Sequence, residues 1–201
     1  MCEVGRRLWQ RGLVGATEGN LSARLSPQRI LCTPAGLCKG HLRPADLVVI
    51  DNKGTVIEGS VPSTEIKMHL RIYQKRPDCQ AVVHAHPPVA TGFALAGEDI
   101  PDDVLPESIV VLGSVATVPF AMPGTDELPD ALEPLLEDHK SFLISHHGAV
   151  VMGKDLLDAY NRMETLERIA QVLLYAKQVG KVRPMPAKAF AKLQKELNGK
   201  L

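Results

Sequence analysis

The stretch AVVHAHPP, residues 81–88, joins a run of apolar residues to two histidines and a pair of prolines. The apolar run favours a buried strand, and the prolines place the histidines at the end of that strand. Side chains at positions i and i+2 of a strand share a face, so His84 and His86 are expected side by side. Two imidazoles in that arrangement suit adjacent positions around one metal ion, although an HxH sequence is also common as an ordinary, partly buried histidine pair.

A second histidine pair lies in SFLISHHGAVVMG, residues 141–153, which we interpret as one strand with a kink at His146-His147-Gly148. Adjacent residues of a strand point to opposite faces, so only one of these histidines can join the first pair. The glycine permits a bend or a close backbone approach. Three imidazoles around an open fourth position form a catalytic zinc site. The two clusters together therefore favour a metal centre over separate surface histidines.

Glu65 follows Pro62, Ser63 and Thr64, where the sequence predicts a helix that runs to about Lys75 with Ser63 as its N-cap. A glutamate in the first turn compensates the helix dipole by roughly 0.3–1 kcal/mol, and this role needs no chemistry. The functional alternative is a carboxylate that completes the metal shell or moves protons. His69 lies one turn later, where it either orients Glu65 or packs in the core.

Three clusters of small residues offer backbone N–H groups and hydroxyls: Gly19-Asn20, TPAG at 33–36 and PST at 62–64. The last of them opens the predicted helix, and a helix N-terminus is a natural anion site. Each cluster by itself is equally explained by ordinary turn and cap chemistry.

The remaining patterns predict one α/β domain over residues 1–201, with a strand-rich centre and helices around it. Asn52-Lys53-Gly54 is typical of a hairpin turn between two strands. TEGNLSARL, residues 17–25, predicts a loop into a short strand, and a second strand is predicted at 30–33. The hairpin strands cover 47–51 and 55–59. The other predicted helices cover 3–13, 87–97, 125–139, 155–180 and 187–197.

The composition excludes several classes of function. Acidic and basic residues balance at 23 each, which gives no electrostatic reason to expect nucleic acid or an anionic membrane as a partner. Four cysteines without a CxxC pair indicate a reducing compartment. Because the sequence has neither a signal-peptide core nor an apolar run of about 18–20 residues, we expect a cytoplasmic protein. Dinucleotide and P-loop motifs are absent.

Six segments of the chain together resemble the class II aldolase/adducin family in their order and spacing. They are TEGNLSAR, TPAG, PSTE, AVVHAHPP, PGTDEL and HHGAVVMG. The resemblance covers residues 3–180 and is strongest to the fuculose-phosphate aldolase-like branch. It implies a three-layer α/β/α fold with a largely antiparallel central sheet, and a homotetramer with sites between subunits. It also implies one divalent metal per chain, Zn2+ or another ion such as Mn2+ or Co2+, held by His84, His86 and His147.

The same resemblance implies that Glu65 is the catalytic acid/base, and that Asn20, Gly36, Ser63 and Thr64 bind the phosphate of a phosphorylated sugar. The implied enzyme is a class II aldehyde-lyase. It would cleave a ketose phosphate to dihydroxyacetone phosphate and an aldehyde through an enediolate that Glu65 protonates.

Two departures from the family pattern leave alternatives open. Ala35 stands where a hydroxyl residue is often found, and no tyrosine follows Gly180, where the fuculose enzyme uses one. The second proton donor is therefore unassigned; Glu107 is one candidate, with a plain loop carboxylate as its other interpretation. Sugar-acid phosphate decarboxylation needs the same enediolate. Pentulose-phosphate epimerases typically carry aspartate at the position of Glu65, and the related dehydratases lack the PS-x-E pattern. A non-catalytic adducin-like scaffold would be expected to lose the metal ligands.

Overall fold

A computed structural model describes residues 1–198, which contain six α-helices and eight strands. The helices are α1 (Cys2–Gln10), α2 (Ile66–Lys75), α3 (Pro88–Ala96), α4 (Glu127–Leu132), α5 (Leu156–Val179) and α6 (Ala187–Asn198). The strands are β1 (Asn20–Ser26), β2 (Arg29–Cys32), β3 (Val48–Ile50), β4 (Val56–Glu58), β5 (Ala81–Ala85), β6 (Val115–Val118), β7 (Ser141–Ile144) and β8 (Gly148–Gly153). No helix within residues 1–198 is both long and apolar enough to cross a bilayer.

All eight strands form one sheet in the order β4-β3-β2-β1-β5-β8-β7-β6. Within it β6 and β7 run parallel, and every other neighbouring pair is antiparallel. The expected hairpin at Asn52-Lys53-Gly54 joins β3 to β4. The histidine-bearing strand β5 lies between β1 and β8, near the middle of the sheet.

Helices cover both faces of the sheet, which confirms the expected three-layer α/β/α fold with a largely antiparallel sheet. Alternation along β5 divides the core: Val83 and Ala85 pack with apolar residues of α1, α3 and α5, whereas Val82 packs with those of α2 and α4. Because side chains two residues apart share a face, His84 lies on the same side as Val82, facing the layer that contains α2.

The expectation of one kinked strand over residues 141–153 was wrong. The chain reverses at Ser145–His147, and β7 and β8 pair as an antiparallel hairpin with Ile144 opposite Gly148. His146 makes the reversal possible with a positive φ of 56°. Continuous apolar residues on both sides of the turn fit two fully buried strands as well as one long strand, so the pattern did not distinguish the two.

The start of α2 also differs from the expectation that Ser63 is its N-cap. The helix begins at Ile66 with Glu65 as the N-cap residue. Ser63 instead donates its backbone N–H to Thr33 O at 3.2 Å, beside a β-bridge between Pro34 and Pro62. This pairing keeps Pro62 out of the helix, and a turn at Thr64-Glu65, closed by the bond from Ile66 N to Ser63 O, leads into α2.

We predict that Gly153→Ala lowers the free energy of unfolding by about 1–3 kcal/mol, the usual cost of overpacking a close contact. A Cβ at Gly153, the last residue of β8, would lie 2.5 Å from Ala159 N and 2.7 Å from Asp155 O. Both are backbone atoms of the first turn of α5 and its N-cap residue, so neither can move aside alone. Urea denaturation of the two proteins measures the difference.

Gly92→Ala is the matched control, because a Cβ at Gly92 in α3 meets no atom within 4 Å. That variant is expected to gain about 0.5–1 kcal/mol, since alanine is the better helix former. Equal stability of Gly153→Ala and the unmodified protein would contradict the packing argument.

Candidate metal centre

Three histidines from two distant parts of the sequence meet at one end of the central strands. His84 is in β5, His86 directly follows that strand, and His147 lies in the turn before β8. The ring centroids are 5.0 Å apart for His84 and His86, 4.8 Å for His84 and His147, and 5.0 Å for His86 and His147. One nitrogen from each ring lies within 4.8 Å of the other two.

The pairing of β5 with β8 brings the two clusters together. In its register His84 lies opposite Val150 and Ala85 opposite Ala149. His84 Nδ1 donates to the carbonyl oxygen of Ala149 at 2.9 Å. This bond fixes the tautomer of the buried ring, so Nε2 carries a lone pair. That atom lies 3.1 Å from Nε2 of His86.

The turn between β7 and β8 separates the two adjacent histidines, as expected when only one of them can join the cluster. His146 is exposed, and its ring lies 6.1 Å from that of Phe120. His147 turns inward. The next residue, Gly148, permits the close approach, because a Cβ there would lie 2.6 Å from Ala85 O and 2.7 Å from His86 Cδ2.

Glu65 reaches the same point from α2 on the neighbouring layer. Its Oε2 lies 3.2 Å from His84 Nε2, and its Oε1 lies 3.2 Å from His147 Nε2. The side-chain amide of Asn20, in β1, donates to Oε2 at 2.9 Å. Glu65 therefore faces the histidine nitrogens in an orientation set by Asn20.

The donor set fits a divalent metal ion. With metal–nitrogen bonds of roughly 2.0–2.1 Å, neighbouring ligands of a tetrahedral site lie about 3.3–3.4 Å apart. The separations of 3.1 Å between His84 and His86 and 3.2 Å from Glu65 to the rings are close to that spacing. Nε2 of His84 has no hydrogen in its tautomer, so its close approach to other acceptors calls for a cation between them. His84, His86 and His147 would hold the ion, with Glu65 near the fourth position.

The charges of the cluster agree with this arrangement. Burial, followed by the neighbouring His84 and His147, lowers the pKa of His86 to about 4, so the ring is a neutral ligand near pH 7. Burial by itself raises the pKa of Glu65. Contacts with the neighbouring His84 and His147 outweigh this and hold the pKa well below its usual range. Glu65 is thus a carboxylate in this state.

His69 does not orient Glu65. Its Nδ1 lies 2.7 Å from Ser22 Oγ, which in turn lies 2.8 Å from the hydroxyl of Tyr73. Burial and the nearby His84 lower the pKa of His69 to about 3, so the ring is neutral. The orienting residue is Asn20, two positions before Ser22 on the same face of β1.

The residues expected to bind phosphate lie on two segments held together near Glu65. Ala35 N donates to Val61 O at 3.0 Å, which adds to the Pro34–Pro62 bridge and joins the TPAG loop to the PST segment. Gly36 and Thr64 are exposed and Ser63 is half-buried on these segments. Asn20 is buried beside them.

Sequence reasoning missed two contacts of the cluster and proposed one residue that lies apart from it. The hydrogen bond from Asn20 to Glu65 was not predicted. A signal was present, because Asn20 and Ser22 are two polar residues at alternate positions of one strand and so lie on the same face. Glu18, whose Oε2 lies 3.5 Å from His86 Nδ1, was not singled out, and a loop carboxylate gives no such signal. Glu107 is exposed and lines a cavity with residues of α5.

Comparison with known proteins places this geometry in a family. Residues 1–174 match the model of the class II aldolase and adducin N-terminal domain. The chain is 36% identical over 197 residues to a 3-oxo-tetronate 4-phosphate decarboxylase of Pectobacterium atrosepticum, covering 96% of this chain and 90% of that protein. It is 35% identical over 170 residues to an L-fuculose phosphate aldolase of Methanococcus maripaludis, covering 85% and 92%.

A solved L-fuculose 1-phosphate aldolase has the same architecture. It superposes with a TM-score of 0.89 at 32% identity, over 98% of this chain and 93% of that one. The match in sequence extends over most of the chain, and the match in fold includes the eight-stranded sheet. The chain belongs to the class II aldolase and adducin family.

Proposed function

We propose that this chain is a metal-dependent lyase that removes carbon dioxide from a phosphorylated 3-oxo sugar acid. The observation that carries the proposal is the convergence of His84, His86 and His147, with Glu65 at 3.2 Å from two of the rings. We propose zinc as the ion, one per chain, with Mn2+ and Co2+ as alternatives. A divalent ion at this position supplies Lewis-acid stabilisation of the negative charge that develops when a bond beside a carbonyl breaks.

Glu65 is suited to carry a proton to the substrate. Its low pKa depends on contacts with His84 and His147. A substrate that takes the place of Glu65 at the histidine cluster removes those contacts, so the pKa rises and the carboxyl group can take a proton from water. Asn20 keeps Glu65 nearby through its bond to Oε2. Glu65 then protonates the carbon that lost its bond.

The phosphate would be held by Asn20, Gly36, Ser63 and Thr64. Backbone N–H groups and hydroxyls on the two joined segments are suitable donors to phosphate oxygens. Binding the phosphate at a fixed distance from the histidines holds the reacting carbon in register. The TPAG loop and the PST segment are joined by backbone hydrogen bonds, so this distance is set by the fold.

Loss of carbon dioxide fits the groups present better than aldol cleavage does. When a 3-oxo acid loses its carboxylate as carbon dioxide, the electron pair remains on the carbon beside the carbonyl, and one proton delivered there completes the reaction. Aldol cleavage needs a further base for the hydroxyl that becomes the aldehyde. Among residues 1–198, Glu65 is the carboxylate that faces the Nε2 atoms of His84 and His147. The likeness to the Pectobacterium decarboxylase supports the same choice.

Aldol cleavage of a ketose phosphate is the second candidate, supported by the likeness to the two fuculose-phosphate aldolases. Both reactions leave the same phosphorylated three-carbon product, dihydroxyacetone phosphate, when the acid is 3-oxo-tetronate 4-phosphate. They differ only in the fragment that leaves. In a homotetramer, which we also propose, a neighbouring copy would supply the additional base.

The substrate test compares two compounds with the purified, zinc-loaded chain. We expect 3-oxo-tetronate 4-phosphate to be converted to carbon dioxide and dihydroxyacetone phosphate, with a kcat/KM at least tenfold above that for fuculose 1-phosphate. Loss of the carboxyl carbon is monitored by 13C NMR. The reverse preference would establish the aldolase. Failure with both compounds would reject the proposed substrate class.

We predict that His84→Ala abolishes stoichiometric metal binding, because the variant loses the ligand whose tautomer is fixed by Ala149. Elemental analysis after dialysis measures the metal content. His146→Asn is the control: His146 is exposed in the same turn, and asparagine tolerates its positive φ. Full metal content in His84→Ala would show that His84 is not a metal ligand.

We predict that Glu65→Gln keeps the metal but lowers turnover by about 10²–10⁴-fold, the usual scale for a general acid/base. Exchange of one carbinol proton of dihydroxyacetone phosphate in D2O gives a readout that does not depend on which fragment leaves. Glu58→Gln, at an exposed carboxylate on β4, is the control. Proton exchange at the normal rate in Glu65→Gln would contradict the acid/base role and leave Glu65 with only a structural role at the start of α2.

A further inference from the structure

The outer side of His86 is faced by a carboxylate. Nε2 of His86 lies 3.1 Å from Nε2 of His84, so this nitrogen points into the cluster. The two nitrogens of an imidazole point in different directions, and Nδ1 of His86 therefore points away from the cluster. Oε2 of Glu18 lies 3.5 Å from that Nδ1.

Glu18 is held in place by its own loop. Its Oε1 accepts a hydrogen bond from Gly15 N at 2.6 Å. The loop is attached to the histidine segment at both ends: His86 donates its backbone N–H to Leu13 O at 3.0 Å. Gly19 has a φ of +70°, and a Cβ there would lie 2.8 Å from His84 O. The loop thus packs directly against the backbone that carries the ligands.

A buried lysine fixes the loop from the other side. Lys39 is 2% exposed, and its ammonium group donates to Thr17 O at 2.6 Å and to Leu37 O at 2.8 Å. Thr17 is the residue before Glu18, and Leu37 directly follows the TPAG loop. The position of Lys39 is in turn set by α1, where a Cβ on Gly5 would lie 2.4 Å from Lys39 O.

We propose that Glu18 is a positioning residue of the metal centre: it accepts the Nδ1 hydrogen of His86 and so presents Nε2 of that ring to the ion, while Lys39 holds the loop that carries Glu18. The proposal rests on the metal centre proposed above. Carboxylates that accept from the second nitrogen of a metal-bound histidine fix its tautomer and orientation and raise its basicity. Each of the three histidines then has a distinct environment: Ala149 O for His84, Glu18 for His86 and the β7–β8 turn for His147.

The competing explanation is that Glu18 only caps the N–H of Gly15. Glu18→Gln separates the two explanations. Glutamine can keep the Gly15 bond through its carbonyl oxygen, but its amide group then presents a donor to the Nδ1 hydrogen of His86. A capping role predicts no change in metal binding, whereas a positioning role predicts a loss.

The test measures zinc affinity of the full chain by competition with a chromophoric chelator, without substrate. We expect Glu18→Gln to bind zinc about 10–100-fold more weakly than the unmodified protein, and Glu58→Gln to bind it equally. The visible spectrum of the Co2+-loaded protein should shift in Glu18→Gln only, because it reports the ligand field at the ion. Urea denaturation of the metal-free proteins checks that the variants are folded.

Equal zinc affinity and identical Co2+ spectra for Glu18→Gln and the unmodified protein would overturn the proposal. Absence of zinc binding by the unmodified protein would instead reject the metal centre itself, so the two failures are distinguishable. Lys39→Met extends the test: if Lys39 acts through Glu18, the double variant should bind zinc about as weakly as Glu18→Gln alone. Additive losses would show that Lys39 acts independently of Glu18.

Discussion

The antiparallel pairing of β5 with β8 is the constraint on which the rest of the candidate site depends. It sets Ala85 opposite Ala149, and this register aligns the ring of His84 with a backbone acceptor on the neighbouring strand. It also brings the turn with His147 beside the end of β5. A slip of this register by one residue would turn His84 to the other face of the sheet, where α1, α3 and α5 pack. The chemistry of the site is therefore specified by main-chain pairing as much as by the histidines themselves.

A second set of contacts connects the sheet to α2. Asn20 and Ser22 lie on one face of β1, and Glu65 and His69 are one helical turn apart. Asn20 therefore contacts Glu65, and Ser22 contacts His69. Tyr73 closes the series through its bond to Ser22. The hydrogen bonds within this series offset part of the cost of removing these groups from water. Among the described residues, Asn20 Oδ1, Glu65 Oε1 and His69 Nε2 have no hydrogen-bond partner. The contacts of β1 with Glu65, His69 and Tyr73 fix the position of Glu65 relative to the sheet.

Much of the site was predictable because its signals are local. The juxtaposition of His84 and His86 at the end of an apolar strand follows from strand geometry. The limit that only one of His146 and His147 can join them was derived for a continuous strand, whereas in the structure the turn at His146 imposes it. The reversal at His146 was not predictable, since an apolar run of that length fits one strand or two. The late start of α2 was missed because a pairing with the distant TPAG loop overrides the capping preference of Ser63. The contact of Glu18 with His86 joins residues 68 positions apart in the chain, and single-sequence patterns contain no information about such a pair.

The two glycines beside β5 have a consequence for how an ion would enter the site. Gly19 packs closely against the carbonyl group of His84, and Gly148 against that of Ala85. A Cβ at either glycine would collide with the carbonyl oxygen. The ligand-bearing backbone is thus clamped in the folded chain, and the conformational entropy of ordering it is lost during folding rather than during metal uptake. Loading would be a local event of ring rotation and desolvation, with little change in the hydrogen-exchange protection of β5. A site built this way resembles a rigid chelator, whose selectivity among ions of different radius derives from the fixed spacing of its donors.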